Sequence, residues 1–149
     1  MLDLLRLPRY DPPVQTSVKI LIVGGVLALA TAYVLGFIMT NLRLRNPGVP
    51  QTLLLQAHRD ALWQGFMLLG LAWAATLSNL GNGIEIVAAL LIVAAAVLSV
   101  GSTIANWRMN VADQFAAGPK ALGYYLAAIN ATLVSIGLLI FIIGVFKGL

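Results

Sequence analysis

The sequence predicts an all-α fold, a four-helix transmembrane bundle, and three observations carry that prediction. Of 149 residues, 60% are hydrophobic and only 9% are charged, with a mean hydropathy of +0.95. A soluble domain averages about 45–50% apolar and about 25% charged residues, so this chain lacks the charge to cover a surface facing water. Third, its apolar stretches come in four blocks, each close to the roughly 20 residues that cross a hydrocarbon core of about 30 Å. Four such spans consume more than half of the chain, which reads as a single integral membrane domain over residues 1–149, multi-pass in the cell inner membrane.

The first seventeen residues carry Pro8, Pro12 and Pro13 among alternating charges and read as an exposed arm, since proline cannot continue a helix. No apolar stretch precedes these prolines, so the arm does not read as a cleavable signal. Residues 18–40 are almost wholly apolar beyond Lys19, which can snorkel to the interface, and form the first span. Asn41 to Gln51, with Arg43, Arg45, Pro47, Gly48 and Pro50, reads as a polar, turn-rich connection. The second span covers 53–79 and opens on the densest polar cluster, Gln56-Ala57-His58-Arg59-Asp60. The third covers 84–109 and closes on Asn106, Trp107 and Arg108. A loop from Asn110 to Gly118 leads to Pro119, which suits a helix's first turn because its missing N–H is not needed there. The fourth span covers 119–146, with Lys147 at the interface. No internal repeat supports an inverted-repeat transporter. Arg6, Arg9, Lys19 and Lys147 fall on one side, and Arg43, Arg45, Arg59, Arg108 and Lys120 on the other, too even a split to orient the chain.

Composition removes most chemistries. Without cysteine there is no disulfide, thiolate nucleophile, iron–sulfur cluster or Cys-ligated zinc. One histidine, His58, excludes a multi-histidine site within one chain, and only five residues are acidic. The formal net charge of +4 comes from scattered basic residues, ordinary beside anionic lipid and no argument for nucleic acid. No glycine-rich phosphate loop, nucleophile set or carboxylate pair is present.

Four spans gather the remaining polar residues at one membrane face: His58, Arg59, Asp60, Gln64, Ser102, Thr103, Asn106 and Arg108 among them. The other face offers chiefly Asn79, Asn82 and Glu85. His58 lies about five residues into its helix, about 7 to 8 Å along it, where an ionisable group is costly and marks function by default. The plainer reading is an interfacial histidine bonded to a neighbour such as Asp60. Ala61, Leu62 and Gly65 share the face of His58, and Ala61 with Gly65 forms a small-xxx-small pair. That pattern leaves room for a flat haem against the backbone, held by one imidazole with the other axial position vacant. It is equally the ordinary device of helix packing in membranes. Gln64, about 120° round from His58, could donate its amide to a substrate oxygen or bond across helices. Ser99, Ser102, Thr103 and Asn106 form a one-sided polar stripe that must look inward. Arg59, Arg108 and Lys120 are lipid anchors on the simplest view, and the nearest cations for haem propionates.

These residues resemble the styrene oxide isomerase family of four-span membrane enzymes. The likeness rests on Pro47-Gly48-x-Pro50, then Ala57-His58, then Gln64-Gly65, and later Gly118-Pro119-x-x-Leu122-Gly123, motifs spread over residues 45–125. The resemblance implies a homotrimer binding haem b between subunits, with His58 as the axial iron ligand and Gly65 beside the cofactor. It implies ferric iron used as a Lewis acid on a hydrophobic aryl epoxide, with ring opening and a 1,2-hydride shift giving the aldehyde. Gln64, with Asn106 or Thr103, is expected near the substrate oxygen, and Arg59 or Arg108 near the propionates. The sequence departs from the family pattern at Gln64, where the family has asparagine, and in the stretch 101–106, which lacks the family's substrate-orienting tyrosine. The competing expectation is a non-enzymatic four-helix membrane subunit. A transporter is disfavoured because no carboxylate lies deep in a span, and an electron-transferring cytochrome because a second histidine is missing.

Overall fold

Prolines and hydroxyl residues decide where the helices stop, and they stop in slightly different places from those the apolar runs predict. The computed structural model describes residues 15–48, 50–109, 111 and 122–149. They form four α-helices: α1 (Thr16–Arg45), α2 (Thr52–Ala75), α3 (Asn82–Arg108) and α4 (Leu122–Gly148). The proline-rich arm, most of the loop expected over 110–118, Pro119 and Lys120 lie outside the described residues.

The expected turn at Asn41–Arg45 is instead the last turn of α1. Nothing before Pro47 breaks the helix, Arg43 and Arg45 complement the negative end of its dipole, and Leu42 packs against a buried cluster. Asn46, whose backbone is extended at φ −140° and ψ 79°, then ends it, as a residue before proline tends to do. α2 finishes at Ala75, short of the expected Asn79, because the Thr76 hydroxyl donates to the Trp73 carbonyl at 2.6 Å and the N–H groups of Leu77 and Ser78 tighten onto carbonyls three residues back.

α1, α3 and α4 are each long and apolar enough to cross a membrane. α2 carries Gln56, His58, Arg59, Asp60 and Gln64 and is less apolar than the others. Successive helices pack antiparallel: α1 lies on α2 and α3 on α4, α3 also touches α1 and α2, and α1 and α4 do not meet. The buried interior is small-residue rich, with Ala32, Ala57, Ala61, Ala72, Ala75, Ala88, Ala89, Ala95 and Ala96 all inside. Large side chains such as Tyr33, Phe37, Trp63, Phe66 and Trp73 face outward. A water-soluble bundle shows the reverse, whereas lipid gives no hydrophobic force between helices and rewards close backbone approach instead. Gly25 and Gly65 show that approach: a Cβ on either would lie within about 3.2 Å of the other's carbonyl oxygen and closer still to Leu69 or Leu29. Gly137 of α4 does the same against Ile92 and the Ala88 carbonyl of α3.

Candidate functional site

His58 is half-buried near the start of α2, on the side that packs against α1. Its Nδ1 lies 2.8 Å from the Ala32 carbonyl oxygen. A carbonyl can only accept, so Nδ1 carries a proton, and in the neutral imidazole Nε2 is the nitrogen that offers a lone pair. Ala32 can accept because a carbonyl already serving its own helix has a second lone pair. Gly36, one turn further along α1, clears the space: a Cβ there would sit 3.3 Å from Cε1 and 3.5 Å from Nδ1 of the imidazole. Ala32 and Gly36 thus make a cradle that sets both the ring's orientation and its tautomer. The plainer expectation, a bond between His58 and Asp60, is not what forms.

Asp60 lies about 200° round the helix from His58 and so faces α3. There it accepts from the Thr103 hydroxyl at 3.2 Å, while the same hydroxyl lies 3.3 Å from the Ser99 carbonyl. Ser102 donates to the Ser99 carbonyl at 2.8 Å. Ser102, Thr103 and Asn106 are all buried, so the stripe on α3 does look inward. Asn106 is 1% exposed and pressed against Gly123 of α4, where a Cβ would overlap its amide. Gln64 stands one turn beyond Asp60 on the same seam, with a buried Oε1 that finds no hydrogen-bond partner among the described residues.

The residues singled out by sequence therefore divide between two sides of α2. His58 belongs to the α1 side, and Asp60, Gln64 and Thr103 to the α3 side, with no hydrogen bond across among the described residues. Gly65 leaves no flat space beside His58 within one chain, because Leu29 of α1 fills it, and its small-xxx-small pairing with Ala61 serves helix packing. Arg59 and Arg108 are exposed. No group of three or more His, Cys, Asp or Glu side chains converges among the described residues. A metal at His58 would thus be held by one protein donor and by a cofactor's own ligands.

The sequence reading missed Ala32 and Gly36, whose small side chains do not stand out in a helix that also carries Gly24, Gly25, Ala28 and Ala30. It also undervalued Glu85 at the opposite end. That carboxylate is 2% exposed, its Oε1 accepting from the Leu80 N–H at 3.2 Å and its Oε2 from the Ser17 hydroxyl at 3.4 Å.

Comparison with known proteins finds no matching family model, no matching curated protein and no matching solved structure.

Proposed function

We propose that this protein is a haem b-dependent membrane isomerase, converting an aryl epoxide of the styrene oxide type to an aldehyde, with His58 Nε2 as the axial ligand. The proposal includes four membrane spans in the cell inner membrane and a homotrimer with haem between subunits. The observation that carries it is the Nδ1–H bond from His58 to Ala32 in the Gly36 cradle. Metal-bound histidines almost always donate their other ring N–H to a carbonyl, carboxylate or water, which fixes the tautomer and raises basicity. The donor set fits haem, which needs one imidazole from the chain and brings its remaining ligands itself. Because Leu29 fills the space at Gly65, the group would lie outside the α1–α2 pair, consistent with a place between subunits.

A bound ferric haem would supply a Lewis acid for the epoxide oxygen without net electron transfer. The reaction is an isomerisation in which the benzylic C–O bond breaks and a hydride moves from the oxygen-bearing terminal carbon to the benzylic carbon as the C=O bond of the aldehyde forms. It needs no general acid or base, in keeping with a chain that has so few. Arg59, next to His58, and Arg108 would pair with the propionates, and the Gln64 amide, on the α3 side of α2, would orient a substrate held at a neighbouring subunit's haem. Thr103, through Asp60, and Asn106, through Gly123, hold α2 and α4 against α3 around that seam.

The test is a pyridine haemochrome assay on purified protein followed by turnover of styrene oxide. The reading requires a Soret band that disappears in His58→Ala. A colourless protein from cells supplied with haem sinks it. A second reading, a non-enzymatic membrane subunit with a structural histidine, is favoured by the packing use of Gly65 and Thr103. It requires that His58→Ala change co-purifying partners while leaving colour unaltered.

A further inference from the structure

A groove runs along the outer surface between α1 and α3. It consists of two clefts, of about 280 Å3 and about 320 Å3, that share Gly24, Leu27 and Val93. It is hollow because small residues, Gly24 and Ala28 on α1 and Ala96 on α3, line it. One end opens at Thr16 and Lys19, and the other reaches Thr31 and Ile104. Behind the mouth the walls are apolar, and the Thr31 hydroxyl is already tied to the Leu27 carbonyl at 2.8 Å, so that stretch has no free hydroxyl for a polar ligand among the described residues. Its open end is cationic: Lys19 is exposed, and the first turn of α1 contains no acidic residue. Glu85, the buried acid at this end, is turned inward to Ser17 and the Leu80 N–H. The positive end of the α1 dipole adds to the same field.

We propose that this groove binds one anionic phospholipid, its acyl chain lying along α1 and α3 and its phosphate on Lys19. The dimensions agree. From Lys19 to Thr31 is twelve residues, about 18 Å of helix, and one leaflet's hydrocarbon is about 15 Å, half of a core of about 30 Å. An acyl chain anchored at Lys19 therefore ends inside the groove. A phosphate at the mouth and an alkyl chain behind it match the only two chemistries the groove presents. The site is independent of His58 and of any cofactor.

The full-length protein, purified in detergent and delipidated, is titrated with phosphatidylglycerol and with phosphatidylcholine of the same chains, and bound lipid is counted by native mass spectrometry. One tightly retained phosphatidylglycerol per protomer is expected. Lys19→Gln lowers its affinity about fivefold, the effect of one basic residue near an anionic headgroup, and Lys19→Arg restores it. Val97→Trp, a change at an exposed position in the groove wall, displaces the chain and lowers retention of both lipids. Lys147→Gln, also at the interface, leaves retention unchanged. The proposal fails if Lys147→Gln weakens binding as much as Lys19→Gln, which would mean general surface charge. It fails equally if Val97→Trp leaves lipid binding intact, or if that variant changes oligomer size without changing lipid count, which would make the groove a contact between copies.

Discussion

Glu85 and His58, at opposite ends of the bundle, are held in different ways. At the Glu85 end the carboxylate is almost fully enclosed, and both of its oxygens accept from the chain itself, from Leu80 and Ser17. At the His58 end the imidazole is only half-buried and one nitrogen is bound by α1, while Gln64 Oε1 here and Ser78 Oγ near Glu85 are both enclosed without a hydrogen-bond partner among the described residues. A buried polar group that closes on its own chain joins helices, whereas one held in place with an atom to spare is set up to meet something else.

Substitutions at the two ends should therefore move different observables. His58→Ala is expected to abolish the Soret band and epoxide turnover, with the helical circular dichroism signal retained. A band that survives would assign His58 to the same structural class as Glu85. Gly36→Val fills the cradle and turns the imidazole away from Ala32, and is expected to weaken haem retention by about 10–100-fold, the usual effect of losing a metal ligand's outer partner. Haem titration of the apoprotein measures it. Glu85→Ala leaves the Leu80 N–H and the Ser17 hydroxyl buried without their acceptor, costing about 1–3 kcal/mol in thermal stability in detergent, with the haem spectrum unchanged. Thr103→Val keeps the shape but breaks the link to Asp60, and about 1 kcal/mol is expected, in line with interhelical hydrogen bonds in membranes. Gln64→Leu should be the mildest for the fold, within about 0.5 kcal/mol or slightly stabilising, because it removes an unpaired buried acceptor. Its effect belongs in turnover, and a large loss of stability there would show that Gln64 already has its partner.

Much of this contrast was legible before any coordinates. A single histidine inside a nearly uncharged chain stands out on composition, and the inward stripe of Ser102, Thr103 and Asn106 follows from helical spacing and the cost of polar groups in lipid. The ends of α1 and α2 were less legible, because Leu42 within an arginine-rich stretch and the Thr76 hydroxyl act through local packing and capping that apolar content does not register. The partners of His58 and Asp60 were not legible. They are two residues apart and looked like neighbours, but the helix turns them to opposite sides.

The sequence by itself determined that this is an all-helical chain with helices long and apolar enough to cross a membrane, that it has no cysteine and few acidic residues, and that His58 is its one imidazole. Those conclusions depend only on which side chains exist and how they recur along a helix. Tertiary structure alone decided that Gly65 packs against Leu29 and Gly25, that Asp60 belongs to Thr103, that Glu85 is enclosed, and that Ala32 and Gly36 hold the imidazole through its Nδ1 side. Each of these depends on the register between two helices. In a membrane that register is set by which small residues let backbones meet, a property of pairs of helices that no single stretch of sequence contains.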